Sequence, residues 1–314
     1  MGVLTSIIDR SISGSFSSDM FFNIGNGAFC YCKNLTSVSF PEVTSIDNYA
    51  FQSCTGLTEV SIPNATSIGN YAFQDCSSLT SVSFPEATKI GNYAFHKCSS
   101  LTEASIPNVT SIGDYAFQNC SKLTEASFPL VTSIGRDAFQ YCKSLTKVSI
   151  PNATSIGNEA FYECSSLTSV SFPLATSIGN YAFRACTGLT EVTEESFPNV
   201  TSIGDNAFQT CNGLTSVFFP VATKIVSYAF QYCKSLTEAS FPLATSIGGF
   251  AFYNCTSLTT IYVGTNTSTV CTLSSTAFNN CTNLTNIYVP ASLVDRYKSA
   301  PGWSNYASKI KATP

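Results

Sequence analysis

One spacing governs this chain. The dipeptide Ala-Phe recurs with Phe29, Phe51, Phe73, Phe95, Phe117, Phe139, Phe161, Phe183, Phe208, Phe230, Phe252 and Phe278, and nine of the eleven intervals are 22 residues. A Cys stands three residues after each Phe, from Cys32 to Cys281, and a Leu three residues after each Cys, from Leu35 to Leu284. Twelve copies share the frame L-T-x-V-S-[IF]-P-x-[AV]-T-S-I-G-[ND]-Y-A-F-x-x-C-x-x. A period of this size marks stacked supersecondary units. One unit brings about eight inward side chains and cannot close a core alone, whereas stacking makes each apolar column continuous. The length of 314 residues would by itself suggest two ordinary domains. The period replaces them with one array.

Within a unit the pattern reads locally. Val60 and Ile62 alternate with Ser61, which predicts a short strand with one face inward, and Pro63 ends it because it has no N–H for a ladder. Ala65 and Ile68 point inward from an extended stretch, and Gly69 is expected to turn the chain with a positive φ. Asn70 is then placed to cap one helical turn over residues 71–75, with Ala72 and Phe73 inward. Val226, in the Gly column, disfavours a strict left-handed geometry there. The expected fold is a repeat solenoid of about twelve coils, with one short parallel strand and one short helical turn per repeat. Insertions at Thr193-Glu194-Glu195 and over residues 264–271 are expected to bulge from the coils.

The motif C-x-x-L-T-x-V-x-[IF]-P-x-x-x-x-x-I-G-x-x-A-F resembles the BspA-like leucine-rich-repeat family, and the resemblance covers residues 24–290. The tail V-P-A-S-L-V-D-R-Y-K-S-A-P-G-W-S-N-Y, Val289 to Tyr306, is similar to the C-terminal caps of such proteins. The resemblance implies a right-handed leucine-rich-repeat superhelix on a bacterial cell surface, engaged in adhesion or host contact. Similar repeats in phage-encoded proteins keep a virion or surface-fibre role as an alternative. The organisation expected is an N-terminal cap over 1–23, the solenoid over 24–290 and a C-terminal helical cap over 291–314, in which Trp303 plugs the last coil. Val3-Leu4, Ile7-Ile8 and Phe21-Phe22 are expected over the first coil. Residues 1–12 lack a basic n-region and a long apolar stretch, so no secretory signal is read there.

Composition narrows the function classes. Charged residues are 11% of the chain, with 15 Lys+Arg and a net charge of −4, which argues against a nucleic-acid groove. No apolar run reaches the 18 or so residues of a membrane span. The cysteines form no C-x-x-C pairs, so no metal site is read. One thiol per coil suits a small buried hydrophobe, and parallel Cβ vectors suit no disulfide. Cys30 and Cys271 lie outside that column and are expected as unpaired thiols. His96, the single His, replaces a Gln of the repeat and is expected as an exposed substitution. No nucleophile stands beside it as a triad requires, so no catalytic residue and no cofactor are expected. Sequons such as Asn64-Ala-Thr66 arise from the repeat itself.

Recognition would be written in the variable columns of the strand. The outer column carries Glu59, Glu103, Glu125, Glu191 and Glu238, with Lys147 as the opposite charge. The inner column is Ser from Ser39 to Ser196, then becomes Phe218, Tyr262 and Tyr288 with Ser240 between. Exposed aromatics are enriched among binding anchors, but these also suit packing over the C-terminal cap or the 264–271 loop. A second aromatic column, including Tyr49, Tyr71, Tyr93 and Tyr115, is expected to stack along the solenoid. The reading is a non-enzymatic scaffold whose strand face binds a protein or glycan, neutral or basic in character. A purely structural spacer is the rival.

Overall fold

The computed structural model describes residues 2–5, 10–266 and 268–314. Ile7 and Ile8 lie outside the described residues. The chain divides into two compact units, residues 1–153 and 154–314. Each is a parallel β-solenoid, and together they hold about 14 turns with few helices. The extra turns over the twelve Ala-Phe repeats lie at the ends. Gly14–Ser17 and Phe21–Ile24 pair with Leu35–Ser39 and Ser45–Ile46, and Ile310–Ala312 pairs with Asn286–Val289.

A typical coil has two short strands, Glu59–Ser61 and Ser67–Ile68, each parallel to its equivalent in a neighbouring coil. The register is that of the repeat: Val60 faces Val38, and Ile68 faces Ile46 and Ile90. Leu57, Val60, Ile62, Ala65, Ile68, Ala72, Phe73 and Cys76 all point inward and are buried. Phe rings stack along each unit, from Phe29–Phe51 at 5.0 Å to Phe117–Phe139 at 5.3 Å in the first. In the second, Phe161–Phe183 and Phe208–Phe230 stack at 5.3 Å.

The third wall corrects the expected helical turn. Residues 71–75 form consecutive turns in which Tyr71 and Asp75 are left-handed, with φ of 58° and 57°. The N–H groups of Tyr71, Phe73 and Asp75 donate to Asn92, Ala94 and His96 of the next coil, at 2.8–2.9 Å. Those of Ala72, Gln74 and Cys76 donate within the coil to Gly69, Tyr71 and Phe73. A helix would direct every N–H back along its own axis. Here alternate amides must reach the neighbouring coil, and the left-handed residues turn them. Nor does Asn70 cap a helix. Its Oδ1 accepts from the Asn92 amide at 2.8 Å, as Asn48 accepts from Asn70 and Asn92 from Asp114.

The glycine column has a different cause from the one expected. Gly69 has no positive φ, but a Cβ on it would lie 2.5 Å from the Asp47 carbonyl carbon. On Gly113 it would lie 2.6 Å from Asn92 Oδ1 and 2.7 Å from Asn92 N. Close approach of the preceding coil selects glycine, so the objection to Val226 on left-handed grounds falls away; Val226 is not among the positive-φ residues. Gly113→Ala is expected to destabilise the protein by about 1–3 kcal/mol, as overpacking does. Gly249→Ala, whose new Cβ would meet nothing closer than 3.4 Å, is expected to cost far less in the same urea titration.

At the C-terminus a short helix, Val294–Ser299, follows the last coil, with 3-10 turns at Ala291–Leu293 and Trp303–Lys309. Trp303 is fully buried. Its Nε1–H donates to the Cys271 carbonyl at 2.6 Å, and its ring packs against Tyr297 and Phe278. The Tyr297 hydroxyl accepts from the Cys271 amide at 2.9 Å.

Candidate functional site

Alternation of the strand puts Glu59 and Ser61 outward and Val60 inward, and the same holds coil after coil. In the first unit this face is interrupted. Glu59–Ser61 pairs with Leu35–Ser39, Ser81–Ser83 with Glu103–Ser105, and Glu125–Ser127 with Lys147–Ser149. Among the described residues no strand pairing joins Ser61 to Ser83 or Ser105 to Ser127. Grooves of about 500 and 530 Å³ lie at these two junctions, the larger flanked by Glu103 and Glu125.

The interruption follows a sequence alternation. Phe40, Phe84 and Phe128 each donate their amide to the next strand, at 2.9–3.0 Å, and the junction is closed. The open junctions follow Ile62 and Ile106. Phe84 lies against Phe73 and Phe95, at 5.8 and 6.3 Å, and so braces two turns of the aromatic column. The shorter Ile has no ring to do so. Ala104, beside the larger groove, is only half-buried. In the second unit Phe172, Phe197, Phe219 and Phe241 succeed one another and stack at 5.7–5.8 Å. There the face runs unbroken from Glu191–Val192 to Ile310–Ala312.

The expected ligand-binding residues fall in two groups. Glu59, Glu103 and Glu125 are exposed on the first unit. Glu125 meets Lys147 at 3.2 Å, an exposed pair that contributes little to stability. Glu191, Glu238, Phe218, Tyr262 and Tyr288 lie on the second unit, the carboxylates exposed and the aromatics half-buried. Register brings Phe218 opposite Ser240, Ser240 opposite Tyr262 and Tyr262 opposite Tyr288. The two tyrosine rings stack at 4.9 Å and 18°. Burial, then the negative charge of Glu238, raises the Tyr262 phenol above its ordinary pKa.

The insertion changes one assignment. Ser196 does not stand on the strand face: it is buried, and its Oγ accepts from the Thr193 amide at 3.0 Å. The added residues leave Thr193, Glu194 and Glu195 exposed beside the strand instead. The other aromatic column stacks as expected, Tyr49–Tyr71–Tyr93–Tyr115 at 4.9, 4.7 and 4.4 Å.

The thiols are all free, and all are buried except Cys30, which is half-buried. Column thiols do more than fill space. Cys54 Sγ donates to the Phe29 carbonyl at 3.0 Å, and Cys76, Cys98 and Cys120 donate to Phe51, Phe73 and Phe95 at 3.1 Å. Burial raises their pKa, to about 12 at Cys233 and Cys281, so the nucleophilic thiolate is suppressed. Maleimide labelling of the native protein at pH 8 is expected to reach Cys30 first. Rapid modification of several column thiols would contradict their burial.

His96 corrects a second expectation: it is buried. The Gln column that it interrupts is an amide ladder, in which Gln52 Nε2 donates to Gln74 Oε1 at 2.8 Å and Gln118 Nε2 donates to Gln140 Oε1. The imidazole bonds Gln118 and lies edge-on to Tyr93, and its Nδ1 has no hydrogen-bond partner. Burial, reinforced by the Lys97 charge and opposed by Asp75, lowers its pKa from 6.5. The unfolded chain therefore takes up the proton first, and stability falls as the pH drops below about 6.5. His96→Gln is expected to restore the amide ladder and to remove part of the stability loss between pH 7 and pH 5, read from urea midpoints.

Among the described residues no group of His, Cys, Asp and Glu is placed to hold a metal ion. Nor, among the described residues, is any helix long and apolar enough to cross a membrane. The sequence pattern of the BspA type leucine rich repeat region matches residues 22–146, 132–243 and 223–306. No curated protein sequence matches the chain. Among solved structures, a leucine-rich repeat protein from Bacteroides ovatus is 24% identical, with a TM-score of 0.64 over 94% of this chain and 88% of that one. The pneumococcal vaccine antigen PcpA is 14% identical, with a TM-score of 0.50 over 98% of this chain and 91% of that one.

Proposed function

Because the chain belongs to the BspA-type leucine-rich-repeat family, we propose that it is a non-enzymatic recognition scaffold whose strand face binds a protein or glycan partner. The observation that supports this most is the contrast between columns. Inward positions repeat almost unchanged, whereas the outward inner column passes from Ser to Phe218, Tyr262 and Tyr288 on a continuous sheet. An exposed column can change without disturbing the core, which is how repeat surfaces acquire ligands. On this reading Glu191, Glu238, Phe218, Tyr262 and Tyr288 contact the partner, and residues 1–23 and 291–314 close the two ends. The uniform Ser column of the first unit, with Glu59, Glu103 and Glu125 beside it, supports a spacer role for that unit.

Glycan-array and pull-down binding is expected to be lost when Tyr262 and Tyr288 are both changed to Ser, with the unfolding midpoint nearly unchanged. Variants that bind every identified partner as well as the parent would remove these residues from the site. Deleting one whole coil of the first unit is expected to leave that binding intact.

A further inference from the structure

The recognition reading leaves the partner's chemistry open, and the second unit's strand face narrows it. Its outer row is Glu191, Ser216, Glu238, Thr260 and Asn286 in register, and its inner row is Phe218, Ser240, Tyr262, Tyr288 and Lys311. A groove of about 360 Å³ lies around Phe218, bounded by Glu194 from the insertion on one side and by Glu238 and Ser240 on the other. Among the described residues neither Glu194 nor Glu238 is in an ion pair, in contrast to Glu125 with its Lys147. Lys311 is turned away to Asn286 Oδ1, at 2.6 Å. The face thus presents uncompensated negative charge next to aromatic rings.

Tyr262 and Tyr288 close one face of each ring against the other. Tyr262 is paired in register with Ser240 on its opposite side, so its remaining face is directed over that small residue. Ser240 leaves a slot between Phe218 and Tyr262 that is two strand spacings wide, about 10 Å. Glu238 stands on the same strand as Ser240 and two residues from it, hence on the same side of the sheet. A carboxylate beside an aromatic face is the pairing that a guanidinium or ammonium group satisfies twice, once by an ion pair and once by a cation–π contact.

We infer that this slot takes a basic side chain, Arg above all, of an extended segment of a partner protein, with Glu238 as its anionic contact and Tyr262 as its stacking face, and that Glu194, on the far side of Phe218, meets a second basic residue of the same segment. The inference rests on the recognition reading above and commits it to a cationic polypeptide. Arg suits the slot better than Lys because its planar guanidinium stacks on a ring and forks onto a carboxylate at once.

The test uses the full chain and three probes: a fluorescein-labelled peptide with Arg at alternate positions, its counterpart with Glu, and a labelled neutral oligosaccharide. Fluorescence polarisation is expected to show saturable binding of the Arg peptide, weakening as salt is raised, and none of the Glu peptide. Glu194→Gln with Glu238→Gln is expected to weaken it at least tenfold, and Tyr262→Ser severalfold. Glu59→Gln with Glu103→Gln removes the same charge from the other unit and is expected to change affinity less than twofold. Equal losses in the two double variants would mean diffuse attraction to a chain of net charge −4 and would overturn the inference. No saturable binding of the Arg peptide would overturn it as well. Oligosaccharide binding that depends on Tyr262, without peptide binding, overturns the basic-partner inference while leaving the recognition reading standing. The recognition reading itself falls only on the partner screen with the Tyr262 and Tyr288 variants.

Discussion

The stacking of coils depends on main-chain hydrogen bonds made from one coil to the next. In the first unit Tyr71, Phe73 and Asp75 reach the coil above through their amides, and Thr66 and Gly69 reach the coil below. These bonds fix the coil spacing, and other features follow from that distance. Stacked rings of one column come to lie 4.4–5.8 Å apart in successive coils. Gly113 has no room for a methyl group, because the preceding coil's backbone already occupies that space. Left-handed residues such as Tyr71 and Tyr93, costing about 1–2 kcal/mol each in isolation, persist because their geometry lets alternate amides make the bonds.

The same constraint makes small side chains act as connectors. Thr66 and Thr88 hydroxyls donate to the Thr carbonyl one coil below, Asn side chains accept from the Asn or Asp amide one coil above, and Cys thiols donate to a Phe carbonyl. Polar groups that look decorative in the repeat therefore satisfy backbone groups or one another. At the outward strand positions the two units differ. Alternating Phe and Ile gives the first an interrupted face, while a continuous Phe column gives the second an unbroken one that carries Glu238, Tyr262 and Tyr288.

Much of this is legible in the amino-acid sequence. The inward set Leu57, Val60, Ile62, Ala65, Ile68, Ala72, Phe73 and Cys76 follows from the period and from apolar character alone, and all are buried. The outward rows of Glu and Ser follow from strand alternation. The Phe/Ile alternation was equally visible in the sequence, but its effect on pairing was not, because it acts through rings of neighbouring coils. His96 misled for a similar reason. A polar residue in a polar column reads as solvent-facing, whereas the column proved to be an amide ladder satisfied between coils.

By itself, then, the sequence determined the period, the parallel stacking, the membership of each column and the absence of a disulfide framework. All of these depend on what one coil contains. Tertiary structure decided why Gly69 is glycine, which residues are left-handed, where Ser196 and His96 point, and where the strand face opens. Each of those depends on the distance to an atom of the next coil, which lies some 22 residues away and has no local signature.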